Sequence, residues 1–193
     1  WTKNQGNRVI YSDDFGRSWH ILGTVDDRPA TGGDEPKCEE MPDGSVILSS
    51  RTSGRVFNIY KYSDVENGKG RWLGAVTSNG SNSGIAVGNS TNGEIMLVEA
   101  IRKSDNQPVT LALQSVPFAS SRANVGIFYK EIPASVYNNV TALASNWTKG
   151  LQVSKLGSAY STMALQHDHR IGFLFEEEPG GYSIVYLPLT IED

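Results

Sequence analysis

The chain has 193 residues, enough for one ordinary domain with a buried core. Apolar residues make up 38% and charged residues 20%, the balance of a soluble globular protein. Net charge is −4 with no basic block, so nothing points to a nucleic-acid partner, and no apolar run nears the roughly 18 residues that span a bilayer.

One cysteine, Cys38, excludes a disulfide within the chain and reads as a small buried thiol. The chain opens WTKNQGNRVIYSDD, without Met or a signal peptide, as expected of a cut or processed end.

Short strands separated by Gly, Asn and Asp turns dominate. Residues 7–12 (NRVIYS) and 18–24 (SWHILGT) flank a glycine-containing turn, and 35–41 (EPKCEEM) and 45–51 (SVILSSR) form a predicted hairpin across a PDG turn. Residues 55–63 (RVFNIYKYS) and 71–77 (RWLGAVT) are the next pair, split by DVENGKG. Residues 83–89 (SGIAVGN) and 94–101 (EIMLVEAI) repeat the design across TNG, followed by strands at 109–116 and 124–132. Only 133–147 is long enough for a turn or two of helix, and Pro133 and the pair Asn138–Asn139 weigh against it. Three last strands are expected at 159–166, 170–177 and 182–191.

Strands at intervals of ten to fifteen residues argue an all-β sandwich or propeller. An imperfect repeat favours the propeller: residues 11–19 (YSDDFGRSW) and 62–72 (YSDVENGKGRW) share Tyr-Ser-Asp, a glycine, then Arg and Trp. Trp19 and Trp72 are 53 residues apart, the span of one four-stranded blade with generous loops, and each is expected to open a strand.

Ser12-x-Asp14-x-Gly16-x-Ser18-Trp19 matches the Asp-box motif. Its logic is a self-contained turn, with short Ser and Asp side chains bonding nearby N–H groups and Trp19 packed beneath. A calcium loop needs more oxygen ligands, so Asp13 and Asp14 are read as structural and rejected as proton donors. His167 and His169 flank Asp168 in a predicted turn, and no further ligand completes a metal site there. Asn139 and Asn146 open glycosylation sequons, Asn139-x-Thr141 and Asn146-x-Thr148.

Four segments in order resemble the bacterial exo-α-sialidase (neuraminidase) family: the Asp box, GDEPKCEEMPDGSVILSSR, SVPFASSRANVGIFYK, and SAYSTMALQHDHRIGFLFEE. The resemblance implies a six-bladed β-propeller, of which the strand count gives this chain roughly the last three blades plus an initial half-blade. It makes Tyr160 the nucleophile, Glu35 its base, Arg51 and Arg122 two of three arginines for the substrate carboxylate, and Glu176 a supporting acid that orients a triad arginine. No cofactor and no metal are implied. The partners are sialylated glycans or glycoproteins, and the location is secreted, periplasmic or cell-surface.

The chemistry is coherent in its own terms. A sialoside carries a carboxylate on its anomeric carbon, which repels an anionic nucleophile, and a neutral phenol avoids that repulsion. A free Tyr has a pKa of about 10, so it needs a carboxylate to take its proton, and nearby guanidinium groups favour the phenolate. Arginine suits the substrate carboxylate because its planar fork donates paired bonds.

Two family features are absent: an Arg-Ile-Pro-like segment with the first triad arginine, and a loop with the Asp acid/base. The chain is therefore expected to be the C-terminal half of the catalytic propeller, inactive alone, its partner the N-terminal half of the same propeller. Singly, each residue has a plainer reading: Glu35 a solvated acid, Arg51 or Arg55 a surface charge, Arg122 a strand-edge cap, Tyr160 a packed tyrosine, and Glu176 part of a wet charge run. A non-catalytic sialic-acid-binding propeller and a trans-sialidase or intramolecular trans-sialidase are the competing functions.

Overall fold

The computed structural model describes residues 7–88 and 90–192; the expectations that fall on residues 1–6, Asn89 and Asp193 lie outside them. The chain is all-β, arranged as a two-stranded half-blade followed by three antiparallel sheets. The half-blade pairs β1 (Ile10–Tyr11) with β2 (His20–Ile21). The first full sheet holds β3 (Asp34–Glu40), β4 (Val46–Thr52), β5 (Gly54–Asp64) and β6 (Lys69–Trp72) in order, with β7 (Val76–Ser78) also on β5. The second runs β8 (Ile95–Arg102), β9 (Gln107–Pro117), β10 (Val125–Glu131), β11 (Thr148–Gln152). The third holds β12 (Ser158–Leu165), β13 (Ile171–Glu177) and β14 (Ser183–Leu189). A short helix, α1 (Val140–Ala144), is capped by the Asn139 side chain, which accepts from the Ala142 N–H at 2.9 Å.

Side chains alternate between faces along a strand, and here both faces are buried, so neighbouring residues feed different cores. In β4, Leu48 joins Val9, Leu22 and Tyr60 between the half-blade and the first sheet, while Ile47 turns to the other side. There it meets Phe57, Ile95, Phe128 and Trp147 between the first and second sheets. In β8, Ile95 serves that core and Met96 the next, with Ile127, Met163 and Phe173 between the second and third sheets. Sheets stacked face to face in chain order, each sharing a core with the next, match the arrangement of blades in a propeller.

Phe57 is fully buried and stacked on Trp147 at 5.4 Å between ring centroids. Truncating it removes the central contact between two blades, and Phe57→Ala is expected to cost about 3–5 kcal/mol, the usual range for such a core deletion. A urea or thermal midpoint unchanged from the parent's would contradict that core assignment.

Three strand expectations differ from the structure. Residues 83–88 form no strand: Ser83 is left-handed (φ 51°), and the Ile85 N–H bonds the Ser78 hydroxyl at 2.8 Å. Their apolar residues Ile85 and Val87 plug a core from a loop, so apolar spacing misread them. The stretch 71–77 splits into β6 and β7, both on β5, so Trp72 closes a strand instead of opening one. β11 was not anticipated, because its exposed TKGLQ sequence has no apolar alternation. The repeated segments are both hairpin loops, one joining β1 to β2 and the other β5 to β6. No helix among the described residues is long and apolar enough to cross a membrane.

Candidate active site

Two strand irregularities aim the central pair. In β3, Asp34 opposes Arg51 and Lys37 opposes Ser49, so Glu35 and Pro36 together face Ser50. Pro36 lacks the N–H a ladder needs, and the extra residue forms a bulge that turns the chain. Glu35 takes a left-handed conformation (φ 39°), uncommon for a residue with a side chain. Its N–H bonds the Asp34 carboxylate at 3.0 Å, and the Ser50 hydroxyl donates to the Asp34 carbonyl at 2.7 Å.

The second bulge lies in β12, where Ser158 opposes Glu177 and Ser161 opposes Phe175. Ala159 and Tyr160 therefore share Glu176 as their counterpart. The carboxylate of Glu176 accepts the Tyr160 backbone N–H at 3.1 Å, so it secures the backbone of Tyr160 itself. Sequence reasoning gave Glu176 an arginine to orient; its contact here is with Tyr160.

The bulges bring two side chains 125 residues apart into contact. The Tyr160 hydroxyl donates to Glu35 Oε1 at 2.6 Å, and Arg51 Nη1 donates to Glu35 Oε2 at 2.7 Å. The guanidinium of Arg122 lies over the Tyr160 ring, 5.5 Å from its centroid, within range of a cation–π attraction. Arg122 sits in the loop three residues before β10 begins, not at the start of the strand as the resemblance implies. Glu35, Arg51, Arg122, Tyr160 and Glu176 thus form one cluster joined by side-chain contacts.

Burial disfavours the Glu35 anion, but hydrogen bonds from Tyr160 and Arg51 and the charges of Arg51 and Arg122 outweigh it. Its carboxyl is held below the ordinary value, hence ionised at neutral pH. Tyr160 is pushed up, first by its hydrogen bond to Glu35, then by burial and by the Glu35 charge; Arg51 and Arg122 pull the other way and lose. The resting pair is a neutral phenol against a carboxylate. The arginines do favour the phenolate, as expected, but the Glu35 carboxylate beside the phenol and burial outweigh them.

Arg51 supplies part of what keeps Glu35 charged. Removing it in Arg51→Ala deletes a bond and a charge that favour the anion, so the Glu35 pKa rises. If Glu35 acts as a base, the acidic limb of the pH–rate profile shifts to higher pH in that variant. An unmoved limb would separate Arg51 from Glu35.

No known protein-family profile matches the chain. A curated sialidase from Micromonospora viridifaciens is 27% identical over 198 residues, covering 95% of this chain and 27% of that protein. Among solved structures, the NanB sialidase of Streptococcus pneumoniae superposes with a TM-score of 0.66 at 17% identity, over 99% of this chain and 28% of that one. The leech intramolecular trans-sialidase gives 0.64 at 20% identity, over 98% and 28%. That of Ruminococcus gnavus gives 0.60 at 22%, over 95% and 37%. The chain is sialidase-like. It spans about a quarter of the length of the curated sialidase it matches.

Within this sialidase-like chain, other candidates resolve into structural parts. Asp14 accepts from the Ser18 N–H at 2.8 Å and from the Ser18 and Ser12 hydroxyls at 2.7 and 2.9 Å. The Ser18 bonds, backbone first, hold its carboxyl at about 2, too acidic for a proton donor at neutral pH. Trp19 lies against Gly16 but is 59% exposed, so it covers the loop less than expected. Asp168 is engaged by Arg170 across the β12–β13 turn. Cys38, on the edge strand β3, is exposed and not buried as expected.

The plain reading of Arg55 as a surface charge does not hold, and other polar residues around the cluster drew no notice in the sequence. Arg55 is fully buried: its Nε donates to Ser49 at 3.0 Å and its Nη1 to the Thr91 carbonyl at 3.0 Å. Burial pulls its pKa down to about 9, so it remains a cation at neutral pH. It opposes Arg51 across β4 and β5, the register signal that could have flagged it. Lys37 and Thr162, each two residues beyond a member of the central pair, were also missed, as was Glu94.

Proposed function

We propose that the chain is the C-terminal part of a six-bladed sialidase propeller, a retaining exo-sialidase acting on terminal α-linked sialic acids of glycans and glycoproteins. The observation that carries this reading is the 2.6 Å hydrogen bond from the Tyr160 phenol to an ionised carboxylate, Glu35, beside Arg51 and Arg122. A lectin has no need of a base against a phenol.

In the first step the Tyr160 oxygen bonds the anomeric carbon as the glycosidic bond breaks, and the phenol proton passes to Glu35. The leaving oxygen takes a proton from a general acid outside this chain. In the second, water attacks the anomeric carbon and yields a proton to that same acid/base, while Tyr160 leaves and recovers its own from Glu35. Arg51 and Arg122, with a third arginine outside this chain, hold the substrate carboxylate. Glu176 fixes the backbone of the nucleophile, and the reaction needs no cofactor.

The partner of these blades is the rest of the propeller, and the protein works outside the cytoplasm, where sialylated glycans are displayed. The 193-residue chain alone is inactive.

Retention is tested by following sialoside cleavage with proton NMR in the full-length protein. The α-anomer is expected as the first product. First release of the β-anomer would overturn the tyrosyl intermediate, and release of an anhydro sugar instead of either would identify an intramolecular trans-sialidase. Binding without turnover would favour the non-catalytic propeller.

A further inference from the structure

Resting on the reading of Tyr160 and Glu35 as nucleophile and base, we propose that Glu94, gripped by Lys37 and Thr162, is a positioning residue that sets the Tyr160–Glu35 distance. The two reacting side chains stand on different blades, so their separation depends on whatever ties β3 to β12. Glu94 makes that tie. Its Oε2 accepts the Thr162 hydroxyl at 2.6 Å and lies 3.2 Å from the Lys37 ammonium. Thr162 is two residues past Tyr160 and Lys37 two past Glu35, so one carboxylate holds both strands immediately beside the bulges.

The backbone around Glu94 reinforces the grip. The Thr91 hydroxyl donates to the Ala159 carbonyl at 2.9 Å, and the Ser161 N–H bonds the Asn92 carbonyl at 3.3 Å. Ser115 accepts from the Glu94 N–H at 2.9 Å and from the Ser161 hydroxyl at 2.8 Å. Residues 159, 161 and 162, on both sides of Tyr160, are thus fastened to 91, 92 and 94. On the other side Arg55 reaches the Thr91 carbonyl from the blade that carries Arg51. Gly93 fits this splint only without a side chain, because a Cβ there would lie 1.8 Å from the Ser115 carbonyl oxygen.

Among the described residues no hydrogen bond or ion pair joins Glu94 to Tyr160 or Glu35, so its effect is one of distance. An error near 1 Å in a reacting geometry costs on the order of 100-fold in rate. Losing the tie should therefore lower kcat and leave substrate binding, which falls to the arginines, largely intact.

The test uses the full-length protein with Glu94→Ala, Glu94→Gln, Thr162→Val and Lys37→Met, assayed on a sialoside, with thermal midpoints recorded for each. Glu94→Ala is expected to lower kcat by roughly 10- to 100-fold with KM within about twofold. Thr162→Val and Lys37→Met should each lose part of that, and Glu94→Gln should recover part through its bond to Thr162. Equal losses in Ala and Gln variants, KM rising with kcat unchanged, or kcat tracking the thermal midpoint alone would overturn the positioning role. Tyr160→Phe runs alongside. If it is inactive while the Glu94 and Thr162 variants keep parental kcat, positioning fails alone. If it keeps full activity, the reading of the site fails and the proposal with it.

Discussion

Tyr160→Phe in the full-length protein is expected to lower kcat on a sialoside by roughly 1,000-fold, with the substrate dissociation constant little changed. The substitution deletes one oxygen. That oxygen is the proposed nucleophile and donates to Glu35, so the groups proposed to bind substrate are left in place. Backbone placement should survive as well, because Glu176 holds the Tyr160 N–H and not the ring. The phenylalanine enzyme should also show no burst of aglycon release, since no glycosyl-enzyme can accumulate. Parental turnover in this variant would remove Tyr160 from the chemistry.

Glu35→Gln should cost about 100- to 10,000-fold in kcat, the usual range for loss of a general base. The amide is isosteric and its oxygen still accepts from Arg51, so the framework of the cluster persists. What disappears is the ability to take the phenol proton. The pH dependence gives a second handle. Glu35 ionises below the ordinary carboxyl range and Tyr160 above the ordinary phenol value. The working pair is therefore intact across neutral pH. It fails only as pH falls through the depressed Glu35 value or rises through the raised Tyr160 value. The same sign governs stability: the contribution of ionised Glu35 is present above its unfolded pKa and lost as pH falls through the folded one. A parent profile with its acidic limb above pH 5 would argue against Glu35 as the free-enzyme base.

Much of the fold was legible because hydrophobic alternation and glycine turns report strands directly. The β3–β4 hairpin, the three closing strands and the half-blade with three sheets all follow from local pattern. The loop at 83–88 and strand β11 did not, because each owes its state to a neighbour: one plugs a core without a ladder, and the other pairs without apolar residues. For the site, resemblance supplied five residues in order, yet the geometry that joins them was hidden. Nothing in the sequence around Glu35 announces a left-handed bulge except Pro36. Glu94 escaped notice because its partners lie 57 and 68 residues away, at separations that no local motif encodes.

The separation of Glu35 and Tyr160 along the chain also governs when the site comes into being. Closing a loop of 125 residues is slow compared with forming the hairpins that bear its ends. During synthesis the strands that carry Glu35 and Arg51 emerge well before Tyr160 does. Until the later blades stack, the protein holds a carboxylate and a guanidinium with no phenol to serve. The Tyr160–Glu35 contact can form only once the last sheet is made, and appearance of activity on refolding of the full-length protein is expected to lag behind appearance of β-structure.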